Sequence, residues 1–169
     1  MSEINKQKEH VICRSELIAL GGAIPVAAGI IVLEKGLGSR PVSDLSRLPD
    51  TASIVVAVSR ARKEYTLPGG KKDSGDLSLQ YTCRRELEEE LGIIPAYFPE
   101  FYTRDVGPAV HDPTILVDVS AYRITNFLGN IRRCGEIDDV AAVPVFDTSP
   151  PVRLGGLVLD VLDSLRLAA

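Results

Sequence analysis

Three glutamates that lie within about one turn of a predicted helix are the residues of this sequence that point most directly to chemistry. Glu86, Glu89 and Glu90 follow Arg85 in an acidic run that stops before Gly92. At about 100° per residue, a helix places the three carboxylates in one stripe beside its apolar face. Arg85 flanks the stripe and can donate a hydrogen bond to Glu89 one turn later. Carboxylates one turn apart repel each other, so the stripe is destabilising unless something positive lies against it.

Two interpretations account for such a stripe. A hard divalent cation would offset the repulsion, because Mg²⁺ favours carboxylate oxygens, water and the phosphates of a substrate. Alternatively, the stripe is an ordinary solvated face whose charges lie in water. The acidic run alone favours the solvated face, but the residues around it favour the cation.

The segment from Gly70 to Ile93 resembles the Nudix box, written G-x5-E-x7-R-E-U-x-E-E-x-G-U with U an aliphatic residue. The second half matches at every position, with Arg85, Glu86, Leu87, Glu89, Glu90, Gly92 and Ile93. The first half departs twice, because Asp76 stands in place of Glu and eight residues rather than seven separate it from Arg85. On this motif the chain is identified as a member of the Nudix hydrolase family, similar to MutT-like nucleotide pyrophosphohydrolases.

The resemblance implies a fold of the α/β (α+β) class, the Nudix fold, in which an α/β/α sandwich surrounds a mixed β-sheet. It implies Mg²⁺-dependent hydrolysis, by metal-activated water, of a phosphoanhydride (pyrophosphate) bond in a nucleoside diphosphate linked to another moiety. A nucleoside triphosphate or a nucleotide sugar is the favoured substrate, and no motif identifies which. The alternative is a non-catalytic Nudix-fold module for ligand sensing or interaction. Proteins of that class usually lack some residues of the box, whereas this sequence has the three glutamates and Arg85.

The resemblance also implies a role for each residue of the box. Glu86, Glu89 and Glu90 are expected to hold one or more Mg²⁺ or Mn²⁺ ions, with the backbone carbonyl of Gly70 as a further ligand. Arg85 is expected to orient the carboxylates by hydrogen bonds. The cations would bridge phosphate oxygens and polarise an attacking water, which lets an acidic protein bind a polyanion.

The polar residues around the box have more than one interpretation. Asp76 could assist metal binding from outside the ligand set, or it could cap the N-terminus of the helix, and the extra residue favours the cap. Two basic residues, Arg60 and Lys71, are predicted to contact the substrate. Lys71 and its neighbour Lys72 could both contact phosphate, but an exposed lysine pair in a loop is more often only solvated.

The general base lies outside the box in many members of the family. Glu136 is the first candidate here, because it precedes the last predicted strand, and it completes a predicted catalytic set with Arg85 and the three glutamates. Asp138 and Glu100 are second candidates, and His111 qualifies by its pKa alone. Four aromatic residues could stack a nucleobase, although aromatics on strands usually lie in the core: Tyr65, Phe98, Phe101 and Tyr102.

The elements that must position these residues are predicted from hydrophobic patterns. Apolar or alternating runs predict strands over Ile24–Leu33, Ile54–Ser59, Tyr97–Val106, Thr114–Ile124 and Val140–Val145. The box predicts a helix over Ser78–Leu91 that Gly92 stops, and helical spacing predicts an amphipathic helix over Leu154–Leu167. Five strands and two helices indicate a mixed α/β layer architecture. The segments Gly36–Asp50 and Pro99–Pro113 are expected to carry specificity.

Length and charge bound the remaining possibilities. The 169 residues are predicted to form a single Nudix domain, with residues 1–20 as an N-terminal arm and residues 70–93 as the box. The net charge of −4 argues against a nucleic-acid partner and leaves a nucleotide-type small molecule. The three cysteines are widely spaced and form no zinc pattern, so we expect free thiols in a reducing cytoplasm. A homodimer is also compatible with the sequence.

One uncharged run, Leu17–Leu33, approaches the length of a membrane span. Its glycines, Pro25 and the acidic residues that precede it argue against both a span and an export signal. The β-branched residues Ile30, Ile31 and Val32 suit a buried strand instead. We therefore expect no membrane association.

Overall fold

A computed structural model of the chain describes residues 22–109 and 112–169. The predicted N-terminal arm and His111 lie outside these ranges. The strands of the described part are β1 (Ala23–Ile30), β2 (Val32–Leu33), β3 (Ser53–Ser59), β4 (Gly69–Lys71), β5 (Ile94–Pro95), β6 (Glu100–Pro108), β7 (Leu116–Arg123), β8 (Phe127–Leu128) and β9 (Ile137–Pro144). Its helices are α1 (Leu79–Leu91) and α2 (Gly156–Ala168).

The longest sheet has four strands in the order β4-β1-β7-β6. β1 pairs in parallel with β7 and antiparallel with β4, so this sheet is mixed. β2 follows β1 after the single residue Ile31 and pairs with β3 in a second, antiparallel sheet of order β2-β3-β9. The strand predicted over Ile24–Leu33 therefore exists, but it passes from one sheet to the other at Ile31.

The two helices pack on opposite faces of β1. Ala27 lies in an apolar cluster with Leu87 of α1, whereas the next residue, Ala28, lies in a cluster with Leu162 of α2. Consecutive residues of a strand point to opposite faces, so β1 is covered on both sides. This arrangement is the predicted α/β/α sandwich around a mixed sheet.

The predicted helix over the box is confirmed at both ends. Ser78 is the N-cap of α1, and its hydroxyl accepts a hydrogen bond from the N–H of Tyr81 at 3.4 Å. Gly92 ends the helix with a φ of 67°, a conformation that glycine adopts without strain. The interpretation of Asp76 as the N-cap is wrong, because Ser78 stands directly before the first helical residue and Asp76 lies two residues earlier.

Two predicted strands have different bounds in the structure. The strand predicted over Tyr97–Val106 begins only at Glu100, as β6, since Pro99 has no N–H to donate to a ladder. The strand predicted over Val140–Val145 begins earlier, at Ile137, which pairs with the last residue of β3 beyond an irregularity in the register. The remaining predicted strands after β1 and the C-terminal helix agree with the structure to within two residues at each end.

The apolar segment weighed above as a membrane span forms β1 and β2 from Ala23 onward. Ile30, Ile31 and Val32 are buried within the two apolar clusters, as expected of a buried strand. In the part of the chain that the structure describes, no helix is long and apolar enough to cross a bilayer.

We expect the packing of α1 to depend on Leu87. Its side chain is fully buried, and a Cβ added to Gly29 of β1 would lie 2.9 Å from its Cδ2. Leu87→Ala should lower the free energy of unfolding by about 2–5 kcal/mol, because it leaves a cavity under the helix. Glu88→Ala, at an exposed position of the same helix, should change it by less than about 0.5 kcal/mol. Urea denaturation measures both, and equal losses would contradict this packing.

Candidate active site

β4 brings two glycines against the acidic side of α1. A Cβ added to Gly70 would lie 2.5 Å from Cδ and Oε1 of Glu86, which is closer than real contacts allow. A Cβ on Gly69 would lie 2.1 Å from the carbonyl oxygen of Ala27, and the φ of 151° at Gly69 also favours glycine. Gly70 therefore lets the Glu86 carboxylate lie directly against the backbone of β4, and Gly69 lets β4 approach β1 closely.

Glu90 lies one turn further along α1 and is bound to the same strand. Its Oε2 accepts a hydrogen bond from the N–H of Gly69 at 2.8 Å. Burial raises the pKa of Glu90 to about 7, although the Gly69 N–H and the positive charge of Arg62 act in the opposite direction. Burial also raises the pKa of Glu86, against the effect of Arg85. Both carboxylates are costly to ionise here, and a bound cation would favour their ionised forms.

Arg85 joins the glycine-rich loop before α1 to the acidic face of the helix. Its Nη1 donates to Oε1 of Glu86 at 2.8 Å and to Oε2 of Glu89 at 3.1 Å. Its Nε and Nη2 donate to the two oxygens of Asp76 at 3.2 and 3.0 Å. Nη2 also donates to the backbone carbonyl of Lys71 at 3.1 Å. The guanidinium is therefore held between Asp76 and the two glutamates.

Asp76 is surrounded by donors. Besides Arg85, the Thr82 hydroxyl donates to it at 2.9 Å and the N–H of Asp73 donates at 3.0 Å. Its side chain is only 10% exposed, and the hydrogen bonds from Arg85 hold the pKa of its carboxyl well below the usual range. Asp76 thus fixes the position of Arg85, which in turn contacts Glu86.

A cavity of about 200 Å³ lies between α1, β4 and the last residues of β3. Four residues that the sequence predicted for the site line it: Gly70, Glu86, Glu90 and Glu136. Ser59, Arg62 and Thr66 are the other polar residues of its lining. Three carboxylates from two separate segments of the chain therefore share one small space.

Glu136 reaches this cavity because the segment before β9 is anchored on the C-terminal end of α1. The N–H of Cys134 donates to the carbonyl of Glu90 at 3.0 Å, and the N–H of Arg132 donates to the carbonyl of Leu91 at 3.0 Å. These bonds satisfy carbonyls that have no partner within the helix. They also fix the point at which Glu136 meets the cavity.

Three other predicted site residues lie elsewhere. The Glu89 side chain is 59% exposed and bound to Arg85, and it does not line the cavity. Arg60 is 83% exposed and pairs with Asp138 at 3.1 Å. The exposed Lys71 contributes its backbone carbonyl to Arg85. The roles assigned to Glu89, Arg60 and Lys71 stay predictions.

The second candidates for the general base, and a candidate for stacking a nucleobase, also lie away from the cavity. Glu100 forms an ion pair with Arg123 at 2.8 Å, between β6 and β7. Asp138, as described above, is engaged by Arg60. Phe98 packs edge-to-face on Tyr81 of α1, with ring centroids 5.4 Å apart. Among the described residues that line the cavity, none is aromatic.

The carboxylates around the cavity do not converge on one point. Within residues 22–109 and 112–169, no three Asp, Glu, His or Cys side chains stand close enough together to hold a metal ion. Protein partners hold them apart, because Arg85 binds Glu86 and Glu89 while the Gly69 N–H binds Glu90. The donors nevertheless fit a hard cation in kind, since carboxylates and backbone carbonyls are the ligands such ions prefer.

A sequence model of the NUDIX domain matches residues 45–152. The chain belongs to the Nudix family. Members of this family are generally hydrolases that act on pyrophosphate bonds and use divalent metals such as Mg²⁺ or Mn²⁺. No curated protein matches the sequence closely enough to count as a relative.

Solved Nudix structures resemble the described fold. The MutT NUDIX hydrolase of Burkholderia pseudomallei is 19% identical with a TM-score of 0.62, over 83% of this chain and 96% of its own. A MutT protein from Aliivibrio salmonicida or Vibrio cholerae is 19% identical with a TM-score of 0.62, over 87% and 99%. The NUDIX domain of Shewanella oneidensis NrtR, solved with ADP ribose, is 17% identical with a TM-score of 0.61, over 92% and 99%. At such identities the likeness concerns the fold, and the predicted Nudix fold is confirmed.

The sequence analysis missed two polar residues of this cavity, Arg62 and Thr66. Both line the cavity, whereas Arg60 was the arginine expected to contact substrate. The N–H of Arg62 donates to the carbonyl of Ser59 at 3.0 Å, so the chain turns directly after β3. The alternation of a strand does not extend into such a turn, and residue spacing therefore could not show which arginine faces the cavity.

We expect Gly70→Ala to weaken Mn²⁺ binding by about tenfold or more, because the new Cβ would displace the Glu86 carboxylate. Gly75→Ala is the matched control, since a Cβ at Gly75 meets nothing within 4 Å. Electron paramagnetic resonance of Mn²⁺ measures binding to both variants and to the unchanged protein. Equal affinities in all three would argue against Glu86 as a ligand.

We expect Asp76→Asn to lower the free energy of unfolding at pH 7 by about 1–3 kcal/mol, because it weakens the charged hydrogen bonds to Arg85. The folded-state pKa of Asp76 is lowered, so its contribution is complete above the unfolded pKa near 3.8 and is lost as pH falls below it. The difference between variant and unchanged protein should therefore shrink on acidification. Urea denaturation at pH 7 and near pH 3 measures it. Asp73→Asn, at a 69% exposed side chain, is the control and should have a smaller effect.

Proposed function

We propose that the chain is a Mg²⁺- or Mn²⁺-dependent hydrolase of a phosphoanhydride bond in a nucleoside diphosphate linked to another moiety. The observation that carries this proposal is the shared lining of one small cavity by Gly70, Glu86, Glu90 and Glu136. Membership of the Nudix family supports it, because the chemistry of the family is pyrophosphate hydrolysis.

The residues of the cavity divide the work as follows. Glu86, Glu90 and the carbonyl of Gly70 would hold the cation, and Arg85 keeps Glu86 oriented. A bound divalent cation would supply Lewis-acid chemistry, polarising water and neutralising charge on phosphate oxygens. Glu136 accepts the proton of the attacking water, whose oxygen bonds to phosphorus as the bond to the bridging oxygen breaks.

The exposed predicted residues keep their places in the proposal. Glu89, which lies outside the cavity lining and binds Arg85, would serve as a further carboxylate ligand by exchanging Arg85 for the cation. Arg60 and Lys71 contact the outer parts of the substrate. Both are exposed, so their contributions depend on the reach of flexible side chains.

The substrate we propose is a nucleotide-type small molecule, a nucleoside triphosphate or a nucleotide sugar. The similarity to a NUDIX domain solved with ADP ribose supports a nucleotide sugar among the first compounds to test. We further propose that residues 1–169 act as one Nudix domain in the cytoplasm, with a homodimer as the oligomer to look for. Cys83 and Cys134 are free thiols, which agrees with a reducing compartment.

A ligand-sensing or interaction module without catalysis is the second candidate function. The observation that favours it is that no three acidic, histidine or cysteine side chains converge on one point within the described ranges. Such a module would bind a nucleotide without turning it over. A measurement of turnover therefore distinguishes the two candidate functions, whereas a measurement of nucleotide binding does not.

The test is a hydrolysis screen of ADP ribose, other nucleotide sugars and nucleoside triphosphates with Mg²⁺, with Mn²⁺ and with a chelator. We expect turnover of one class that the chelator abolishes. Glu136→Gln should lower kcat by about 100-fold or more, as expected for removal of a general base, and Glu90→Gln should do so through lost metal. Glu88→Gln, at an exposed position of α1, is the control and should leave kcat unchanged.

Three results would contradict the proposed enzymatic mechanism. Turnover that survives the chelator would remove the metal from the mechanism. Equal activity of Glu136→Gln and Glu88→Gln would remove Glu136 from it. Nucleotide binding without any turnover across the panel would favour the ligand-sensing module.

A further inference from the structure

Arg62 differs from the other arginines around the site in what holds it. Its Nη1 donates to the Thr66 hydroxyl at 3.0 Å, and that partner is neutral. Arg85 and Arg60, by contrast, are paired with carboxylates at 2.8 to 3.1 Å. Within the residues that the structure describes, no carboxylate lies within ion-pair distance of Arg62. Its charge is therefore not neutralised by direct contact.

Thr66 holds Arg62 from a fixed position. The N–H of Thr66 donates to the carbonyl of Ala57 at 2.9 Å, and the N–H of Ala57 donates to the carbonyl of Thr66 at 2.9 Å. This bridge ties the residue to β3, so its hydroxyl is a rigid support for the guanidinium. A guanidinium has five N–H donors, and engagement of one nitrogen by Thr66 leaves donors for a ligand in the cavity.

The charges of the cavity lining explain why such a group matters. Glu86, Glu90 and Glu136 bring three carboxylates, and among the described residues that line the cavity Arg62 alone carries the opposite charge. A diphosphate is itself an anion, so it would be repelled by a cavity of net negative charge. One divalent cation and Arg62 together supply three positive charges, which match the three carboxylates. Without Arg62, the cavity with one such cation would remain negative when substrate arrives.

We infer that Arg62 binds the substrate, with its guanidinium donating hydrogen bonds to a phosphate of the diphosphate in the cavity. This inference rests on the function proposed above, and it names a residue whose role there is recognition. An arginine suits the task because its planar fork can donate two parallel hydrogen bonds to one phosphate. The held position at Thr66 means that little conformational freedom is lost on binding.

The experiment measures binding of α,β-methylene-ADP, whose diphosphate cannot be hydrolysed, by calorimetry in saturating Mg²⁺. Arg62→Gln should weaken binding by about 10- to 100-fold, the range for lost hydrogen bonds to a charged group. Arg62→Lys keeps the charge but not the fork and should fall between Arg62→Gln and the unchanged protein. Lys63→Gln, at the exposed next position of the same turn, should stay within about twofold of the unchanged protein.

A second arm separates this inference from the proposed function. Mn²⁺ binding without nucleotide is measured by electron paramagnetic resonance, and Arg62→Gln should leave it within about threefold, because Arg62 is a contact of the substrate and not of the metal. Thermal melting followed by circular dichroism checks that each variant is folded. If Arg62→Gln unfolds, the comparison rests on Arg62→Lys, which should still weaken nucleotide binding by several-fold.

Each outcome decides the assignment. Unchanged nucleotide affinity in Arg62→Gln, or in a folded Arg62→Lys that stands in for it, overturns the role of Arg62 and leaves the proposed function intact. A larger loss in Arg60→Gln than in Arg62→Gln also overturns it, in favour of the exposed arginine. If the unchanged protein binds nucleotide through Arg62 but binds no Mn²⁺, the assignment stands and the metal-dependent function falls. If it binds neither ligand, both fall.

Discussion

The site depends on one close contact, in which the Glu86 carboxylate rests on the backbone of β4 at Gly70, where no Cβ fits. That approach requires β4 to pair with β1 and α1 to pack on β1 through Leu87, so the core packing and the acidic cavity are set together. Glu86 at Gly70 and Glu90 at Gly69 both lie against β4, and burial raises both pKa values. The fold therefore holds two carboxylates where each is destabilising alone. Such local conflicts concentrate at functional sites.

Arg85 offsets part of that cost, and it is itself fixed by Asp76 although the loop departs from the Nudix pattern. α1 begins at Leu79, so only two residues, Leu77 and Ser78, separate Asp76 from the helix. Leu77 is 83% exposed, as expected of a residue added to a loop. Aspartate is one methylene shorter than the glutamate of the pattern, yet its carboxylate contacts Nη2 of Arg85 at 3.0 Å. The contact between Asp76 and Arg85 therefore forms in spite of the two departures from the pattern.

The layers of helices and sheet and the helix of the box could be predicted because the spacing of apolar residues indicates which face of an element is buried. Leu87, one turn after Cys83 and fully buried like it, is an example. The start of β6 and the N-cap of α1 were harder, since each depends on a single residue, Pro99 or Ser78, whose effect is local. The cavity could be predicted only in part. Glu136 was predicted from its place before the last strand, although residue types do not encode the backbone hydrogen bonds that anchor its segment to the end of α1. Arg62 and Thr66, which also line the cavity, were missed. The sequence also does not show in which direction a side chain in a turn points.

Arg62 and Arg85, the two half-buried arginines of the site, show that the partner of a charged group decides whether it can bind a ligand. A guanidinium stays protonated throughout the physiological pH range, so Arg62 and Arg85 differ only in their contacts. All three nitrogens of Arg85 donate to acceptors of the protein, so a ligand could engage them only by breaking bonds that orient Glu86. Arg62 is held by the neutral hydroxyl of Thr66, and although its charge also acts on Glu90, it forms no ion pair with a carboxylate of the described residues and can still bind a ligand that enters the cavity. The first arrangement stabilises the acidic face from within, and the second can act on a ligand. A site that must hold carboxylates together and still admit a polyanion requires both.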